Sequence, residues 1–539
     1  MERVSTGVQD SEKRRSVATF WHGSHHTLLA GITFLGLVLR LFHLGAQSFW
    51  HDEALSALLA AKDWSSILLT TAQDVHPPLY YLLLHAWLLL GRSEAVIRLL
   101  SALAGVAAIP VTFALAQAIF ESRPVYKDLA QQIGLLSALF MAIAPFQIVY
   151  AQEARMYTLF LLLTELATLF FLRVVRSGQR RDLLGLVACS ALSLYTDYFA
   201  LFLLLVYGSF VLIFWRRYNH LLKPLITAAL AVLILFLPWL NVFLHQAGAV
   251  AGSYWIERPT LVALFATLYL FMVSYSLPNL ELPPTFLRLF QPAEAWPRLV
   301  VPIVPFSLFL SLGFFAIILN KARRVLRSKG RMRESITFVL LFLFLSPTAT
   351  YFISLMRPIY LDRALLFTAP GLYILLAWGV VEAREKRLLV GLGLAVTLLA
   401  ALSLGNYYFN SAFWKLPNRD VASYVAASYR AGDVVLHTSD GSHLPAIYYQ
   451  PSLEQYLLPD DPHSVRSNLP SQAIVHALGG KPQQPEQVLS GHKRAWLVVM
   501  LDHSVEHQLG VKAWFDQRYP LLLHTDVGGI QVYLYVLAR

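Results

Sequence analysis

A chain of 539 residues that is 57% hydrophobic and only 14% charged cannot cover a water-facing surface, since soluble domains carry about 25% charged residues. The net charge of +11 does not point to nucleic acid, because the basic residues fall in short clusters between apolar runs, as in membrane proteins. The single cysteine, Cys189, excludes an internal disulfide, and there is no zinc-spaced Cys/His cluster, P-loop or dinucleotide fingerprint.

The polar segment 1–27, with Lys13, Arg14 and Arg15, reads as a cytoplasmic tail ahead of a first apolar run at 28–44. Arg40 inside that run, and the further runs behind it, favour a retained helix over a cleaved signal peptide. Next comes Gln47-Ser48-Phe49-Trp50-His51-Asp52-Glu53. Ser48 is placed to cap a short helix whose first turns hold Asp52 and Glu53. Leu55, Leu58 and Leu59 give it one apolar face, so it is expected to lie along the membrane, with Trp50 and Trp64 as interfacial anchors. His76-Pro77-Pro78-Leu79-Tyr80-Tyr81 then opens an apolar run that stops at Gly91, short for a crossing. Segment 45–93 is read as one outer loop with interfacial helices, because only then do Arg123, Lys127, Arg173, Arg176, Arg180 and Arg181 fall inside.

Apolar runs near 94–119, 132–150, 155–172, 183–196, 198–215, 224–243, 299–320, 336–356, 364–381 and 388–405 bring the expected crossings to about eleven. The basic stretch from Lys321 to Arg333 and the cluster Arg384, Lys386, Arg387 set the inner side. Segment 244–298 becomes a second large outer loop, in which 261–277 lies on the surface or re-enters. Beyond 405 the character changes. Short strand-like pieces at Asp433–His437, Ala495–Met500 and Gln531–Val536 alternate with helix-like ones, so 406–539 reads as an exported α/β domain. The fold class is an α-helical polytopic membrane protein carrying a small exported C-terminal α/β domain.

On this topology costly polar residues gather at outer span ends: Asp52, Glu53, His76, Arg98, Gln152, Glu153, Arg155, Tyr157, Asp197, Arg357, Tyr360, Asp362 and Arg363. His51 and Tyr80 stand beside them. Any one alone reads as a salt bridge or a snorkelling side chain. Their shared position at one membrane face suggests function, and two acids among several cations suit an anionic lipid phosphate and an acid–base reaction.

The order Trp50-His51-Asp52-Glu53, His76-Pro77-Pro78-Leu79-Tyr80, Glu94…Arg98-Leu99-Leu100-Ser101 and Gln152-Glu153-Ala154-Arg155-Met156-Tyr157 resembles the GT-C glycosyltransferases, nearest to the protein O-mannosyltransferase-like and aminoarabinose-transferase-like enzymes of bacteria. Hydropathy and order agree over about 28–405, and the sharp motifs lie within 40–160. Aminoarabinose transferases carry Lys before Pro-Pro where this chain has His76. Asp362-Arg363 stands where the family's later segment has Arg-Tyr. The resemblance implies transfer of a sugar, mannose or another hexose or aminoarabinose, from a polyprenyl-phosphate donor at the outer face of a bacterial inner membrane. The acceptor would be a protein, glycolipid or glycan hydroxyl. Asp52 would act as general base, Glu53 would orient the acceptor or support Asp52, and His76, Arg155 and Arg363 would bind the donor phosphate. A single displacement inverts the anomeric centre, and no cofactor is required, though Asp52 and Glu53 could ligate a divalent metal. The rival reading is a transporter or lipid-linked-sugar flippase, whose signature is paired repeats and helices broken at mid-membrane; this chain shows no half-to-half similarity, and its charges cluster at one face and not at the midplane.

Overall fold

The computed structural model describes residues 25–121, 127–252, 256–276, 303–383, 386–460, 472–502 and 504–537. The tail before residue 25, Arg123, Arg384 and residues 277–302, with the Pro-rich part of the second outer loop, lie outside the described residues.

Most apolar runs become helices near the expected places. Helix Glu94–Phe120 packs against Lys127–Ile143 on one side and Tyr157–Ser177 on the other. Small residues let these helices approach closely, the usual device where lipid supplies no hydrophobic drive. A Cβ on Gly134 would meet the Phe113 ring at 2.8 Å, so the helix pair tolerates nothing larger there. The run at 132–150 is broken. Lys127–Ile143 and Pro145–Ala151 meet at 56°, because Pro145 opens the second helix without an N–H to continue the first. Buried Arg40 donates to the carbonyls of Met141 and Ala142, each at 3.0 Å, and so satisfies the freed helix end.

Six described helices are long and apolar enough to cross a bilayer, or seven if the bent pair is one span. The runs at 28–44 and 198–215 form shorter helices, His25–Leu41 and Tyr198–Ile213. Segment 261–277 forms the short helix Val262–Val273, whose second half is buried among its neighbours.

Segment 45–93 folds as three short helices, His51–Ala60, Trp64–Thr71 and Leu79–Trp87. Each is far below the ~20 residues a crossing needs. Leu69, Leu89 and Leu90 are exposed, as on a surface facing lipid. Two local expectations fail. The Ser48 side chain does not cap the first helix, whose N-cap is Trp50 without a side-chain bond; Ser48 instead receives the N–H of Arg419 at 3.3 Å. Nor does that helix show a single apolar face, since Glu53, Ser56 and Ala57 are as buried as Leu59. The reason is non-local. Helix Asp440–Tyr449 of the C-terminal region packs over it.

The C-terminal region contains a five-stranded sheet of order β2-β1-β3-β5-β4, with β1 Asp433–His437, β2 Gln455–Leu457, β3 Arg494–Val499, β4 Leu521–Val527 and β5 Ile530–Val536. Strands β2, β1 and β3 are parallel, and β5 runs antiparallel to β3 and β4. Period-two alternation builds a core on each face. Val434, Leu436, Ala495 and Leu497 face Phe515, whereas Val435, Trp496, Val498 and Val532 face Val421 and Val425.

Candidate active site

Glu53 is fully buried and both its oxygens are held. Arg98 donates to Oε1 at 2.7 Å and to Oε2 at 2.8 Å, the N–H of Ala154 donates to Oε1 at 2.9 Å, and Lys415 reaches Oε2 at 3.0 Å. The rest of the Arg98 fork donates to the carbonyls of Leu44, Gln47 and Ser48, at 2.9, 2.9 and 3.2 Å. This pair therefore locks the turn that enters helix His51–Ala60. Burial opposes ionisation of Glu53, but Arg98 and Lys415 outweigh it and hold its carboxyl down at about 2.

Asp52, the next residue, points the other way and is about one-fifth exposed. Its Oδ2 lies 3.9 Å from Arg155 Nε and 3.7 Å from Arg363 Nη2, and its Oδ1 lies 3.1 Å from His51 Nδ1. Burial would raise the Asp52 pKa. Arg155, His51 and Arg363 together reverse that and hold it well below the usual carboxylate range. The arginines come from distant parts of the chain. Arg155 sits in the turn between Pro145–Ala151 and Tyr157–Ser177, its carbonyl fixed by Ser101 Oγ at 2.9 Å and its Nη1 3.2 Å from Tyr81 Oη. Arg363 opens the helical segment before Ala369–Val381, and its guanidinium lies over the Trp50 and Tyr157 rings.

The structure thus brings together His51, Asp52, Arg155, Tyr157 and Arg363, with Glu53 and Arg98 directly behind. Glu153 also joins, its Oε1 3.1 Å from Lys415, and burial pushes its carboxyl up. His76 is half-buried, and burial with Arg155 nearby lowers its imidazole to about 3, so it is neutral. Burial raises Asp197 to about 6, and it caps the turn at Phe199. Other expected pocket residues hold the frame instead. Tyr80 bonds Ser101, Tyr360 bonds Thr267, Gln152 donates to the carbonyls of Arg40 and Phe42, and Asp362 caps its own turn at Arg363. Arg357 is exposed just beyond the end of helix Arg331–Ser354.

Sequence reasoning missed four participants. The Trp50 ring lies under Arg363 and Lys415. Lys415 and Asp440 come from beyond the last span, and Asp440 Oδ2 lies 3.4 Å from His51 Nε2. Only Asp74 carried a local signal, as an acid two residues before His76; it is buried and raised by burial to about 6. As for a metal, Asp52 and Glu53, the two carboxylates expected to ligate one, already face cations, and Glu53 has no oxygen left to give. A donor set so neutralised does not fit a dication.

A family model described as dolichyl-phosphate-mannose-protein mannosyltransferase matches residues 75–241, which takes in His76 and Arg155 but begins after Asp52. No curated protein matches the chain. Among solved structures, apo ArnT from Cupriavidus metallidurans is 12% identical with a TM-score of 0.58, over 96% of this chain and 98% of that one. The same protein bound to undecaprenyl phosphate gives 14% and 0.53 over the same shares. The Archaeoglobus fulgidus oligosaccharyltransferase in complex with Zn and sulfate gives 13% and 0.51, over 94% of this chain and 72% of that one. At such identity the likeness is one of fold. The family match spans less than half of the chain, and together the two say what the chain is similar to: membrane glycosyltransferases of the GT-C fold.

Proposed function

We propose that the chain transfers a sugar from a polyprenyl-phosphate donor to an acceptor hydroxyl, at the outer face of a bacterial inner membrane, with inversion. One observation carries this reading: the partly exposed carboxylate of Asp52 stands within 4 Å of two guanidinium groups that converge from separate parts of the chain. The acceptor oxygen attacks the anomeric carbon as its proton passes to Asp52. The bond from that carbon to the phosphate oxygen breaks, and the polyprenyl phosphate leaves with the electron pair, its charge taken up by Arg155 and Arg363. Without donor, these cations make Asp52 a weak base. An arriving phosphate shares the arginines and raises the basicity of Asp52 when it is needed. Inversion is the reading because Glu53, committed to Arg98 and Lys415, is not free to face Asp52 across a sugar at the ~5 Å a retaining pair needs. Neutral His76 would contribute a hydrogen bond to the donor, not charge.

Arg155→Ala should weaken use of the donor more than of the acceptor, and Arg155→Lys should recover only part of the loss, because the planar fork is gone. Steady-state kinetics with varied polyprenyl-phosphate hexose would decide this; an unchanged donor KM and kcat would leave Arg155 a purely structural ion-pair partner.

The outer-face placement is tested by topology. In a Cys189→Ala background, Ser65→Cys, Ser328→Cys and Ser428→Cys each put a thiol at an exposed position. In intact cells an impermeant maleimide should label the first and third alone. Labelling at Ser328→Cys would contradict an outward-facing Asp52 and an extracytoplasmic C-terminal region.

A further inference from the structure

The first link between the C-terminal region and the reacting centre is geometric. His51 stands between two carboxylates, with Nδ1 3.1 Å from Asp52 and Nε2 3.4 Å from Asp440. We propose that Asp440 is a positioning residue for the transfer reaction: it keeps His51 doubly protonated, and so orients Asp52 toward the acceptor.

A neutral imidazole has one N–H and can satisfy only one of two flanking carboxylates, whereas the imidazolium donates to both. Asp440 is itself fixed. It occupies the first turn of helix Asp440–Tyr449, whose N-cap Ser439 accepts from Gly441 N–H at 3.0 Å, and an acid there suits the helix dipole. That helix cannot drift from the site. Tyr449 Oη receives the N–H of Phe49 at 2.7 Å and bonds Glu94 at 3.0 Å, while Asn418 donates to the Phe49 carbonyl at 3.1 Å. The charged groups around His51 are Asp52 on its own helix, Asp440 above it and Asp74 from the following loop. Arg155 and Arg363 lie beyond Asp52, and Lys415 lies across Trp50. Burial disfavours the imidazolium, yet Asp440 and then Asp52 raise His51 to about 9, in line with the geometry. The consequence is that the C-terminal region completes the site instead of merely hanging from it.

Two readouts test this, which rests on the transfer reading above. The first needs no substrate. Diethyl pyrocarbonate attacks neutral imidazole, so peptide-resolved modification of His51 in the full-length protein in lipid nanodiscs reports its titration. The wild type should reach half-maximal reactivity near pH 9, and Asp440→Asn should move that point down by about one unit or more, the effect of losing a carboxylate at this distance. The second readout is the pH profile of polyprenyl-phosphate release from a polyprenyl-phosphate hexose, with acid-extracted envelope material from the source cells as acceptor. A one-unit fall makes His51⁺ about threefold scarcer at pH 8.5, so kcat at that pH, relative to pH 6.5, should fall about threefold in Asp440→Asn and recover in Asp440→Glu. His51→Gln, which keeps a donor on Asp52 without a titrating charge, should lose the alkaline limb and serves if Asp440→Asn fails to assemble. An unmoved His51 titration in Asp440→Asn would overturn the inference, as would a wild-type alkaline limb in His51→Gln. Wild-type protein that releases no polyprenyl phosphate from that donor would instead overturn the transfer reading itself.

Discussion

Asp52→Asn should lower turnover about 10²–10⁴-fold, the range typical of a lost general base. Asparagine keeps the size of the side chain and can still meet His51, so the change isolates the proton acceptor. Two buried guanidinium groups remain, so the donor phosphate is still bound and its KM should stay close to the wild-type value. The measurement is kcat per assembled enzyme, with detergent-extracted amounts matched. A variant that turned over at the wild-type rate would remove Asp52 from the chemistry.

Glu53→Gln should act differently, through assembly. It removes the charge opposite Arg98 at a site where both groups are fully buried, and it also strips Lys415 of one of its two carboxylates. Breaking a buried pair by removing one partner costs about 3–5 kcal/mol, because the remaining charge stays in a low-dielectric setting. The expected result is a markedly lower thermal midpoint in detergent and poor recovery from the membrane. Arg98→Lys should not restore stability, since an ammonium cannot hold both Glu53 oxygens together with the carbonyls of Leu44, Gln47 and Ser48. A Glu53→Gln protein that melted like the wild type yet had lost activity would move Glu53 from the frame to the acceptor.

The contrast between these adjacent acids was not legible in the sequence. Both stand at a helix start outside a span, and a DE pair carries no mark of which side chain turns inward. What was legible came from cost. Asp52, Arg155 and Arg363 each sit where an ionisable group near lipid needs a reason, and the fold brings all three together. The same criterion drew in Gln152 and Tyr360, whose reason turned out to be holding carbonyls and neighbouring helices. Lys415 and Asp440 were invisible for the opposite cause. An isolated lysine and an acid at a helix start are ordinary in an α/β region, and only contacts across more than 350 residues bring them to Glu53 and His51. Helix His51–Ala60 was misread for the same reason, since its apolar pattern was weighed against a membrane surface and not against a covering helix. The strands at Asp433–His437 and Ile530–Val536 were readable because β-branched and aromatic runs bounded by turn residues need no long-range information, whereas the exposed edge strand Leu521–Val527 was passed over, having no buried face to impose a pattern.

The central claim, that this chain moves a sugar off a lipid phosphate and does not carry the lipid across the bilayer, is tested most directly in vesicles. The purified protein is reconstituted with a polyprenyl-phosphate hexose labelled in the sugar, in the presence of acid-extracted envelope material from the source cells as acceptor. The account predicts that label leaves the lipid fraction, free polyprenyl phosphate accumulates in equal amount, and both stop with Asp52→Asn. Label that remains on intact lipid while changing leaflet, with no polyprenyl phosphate released, would contradict it.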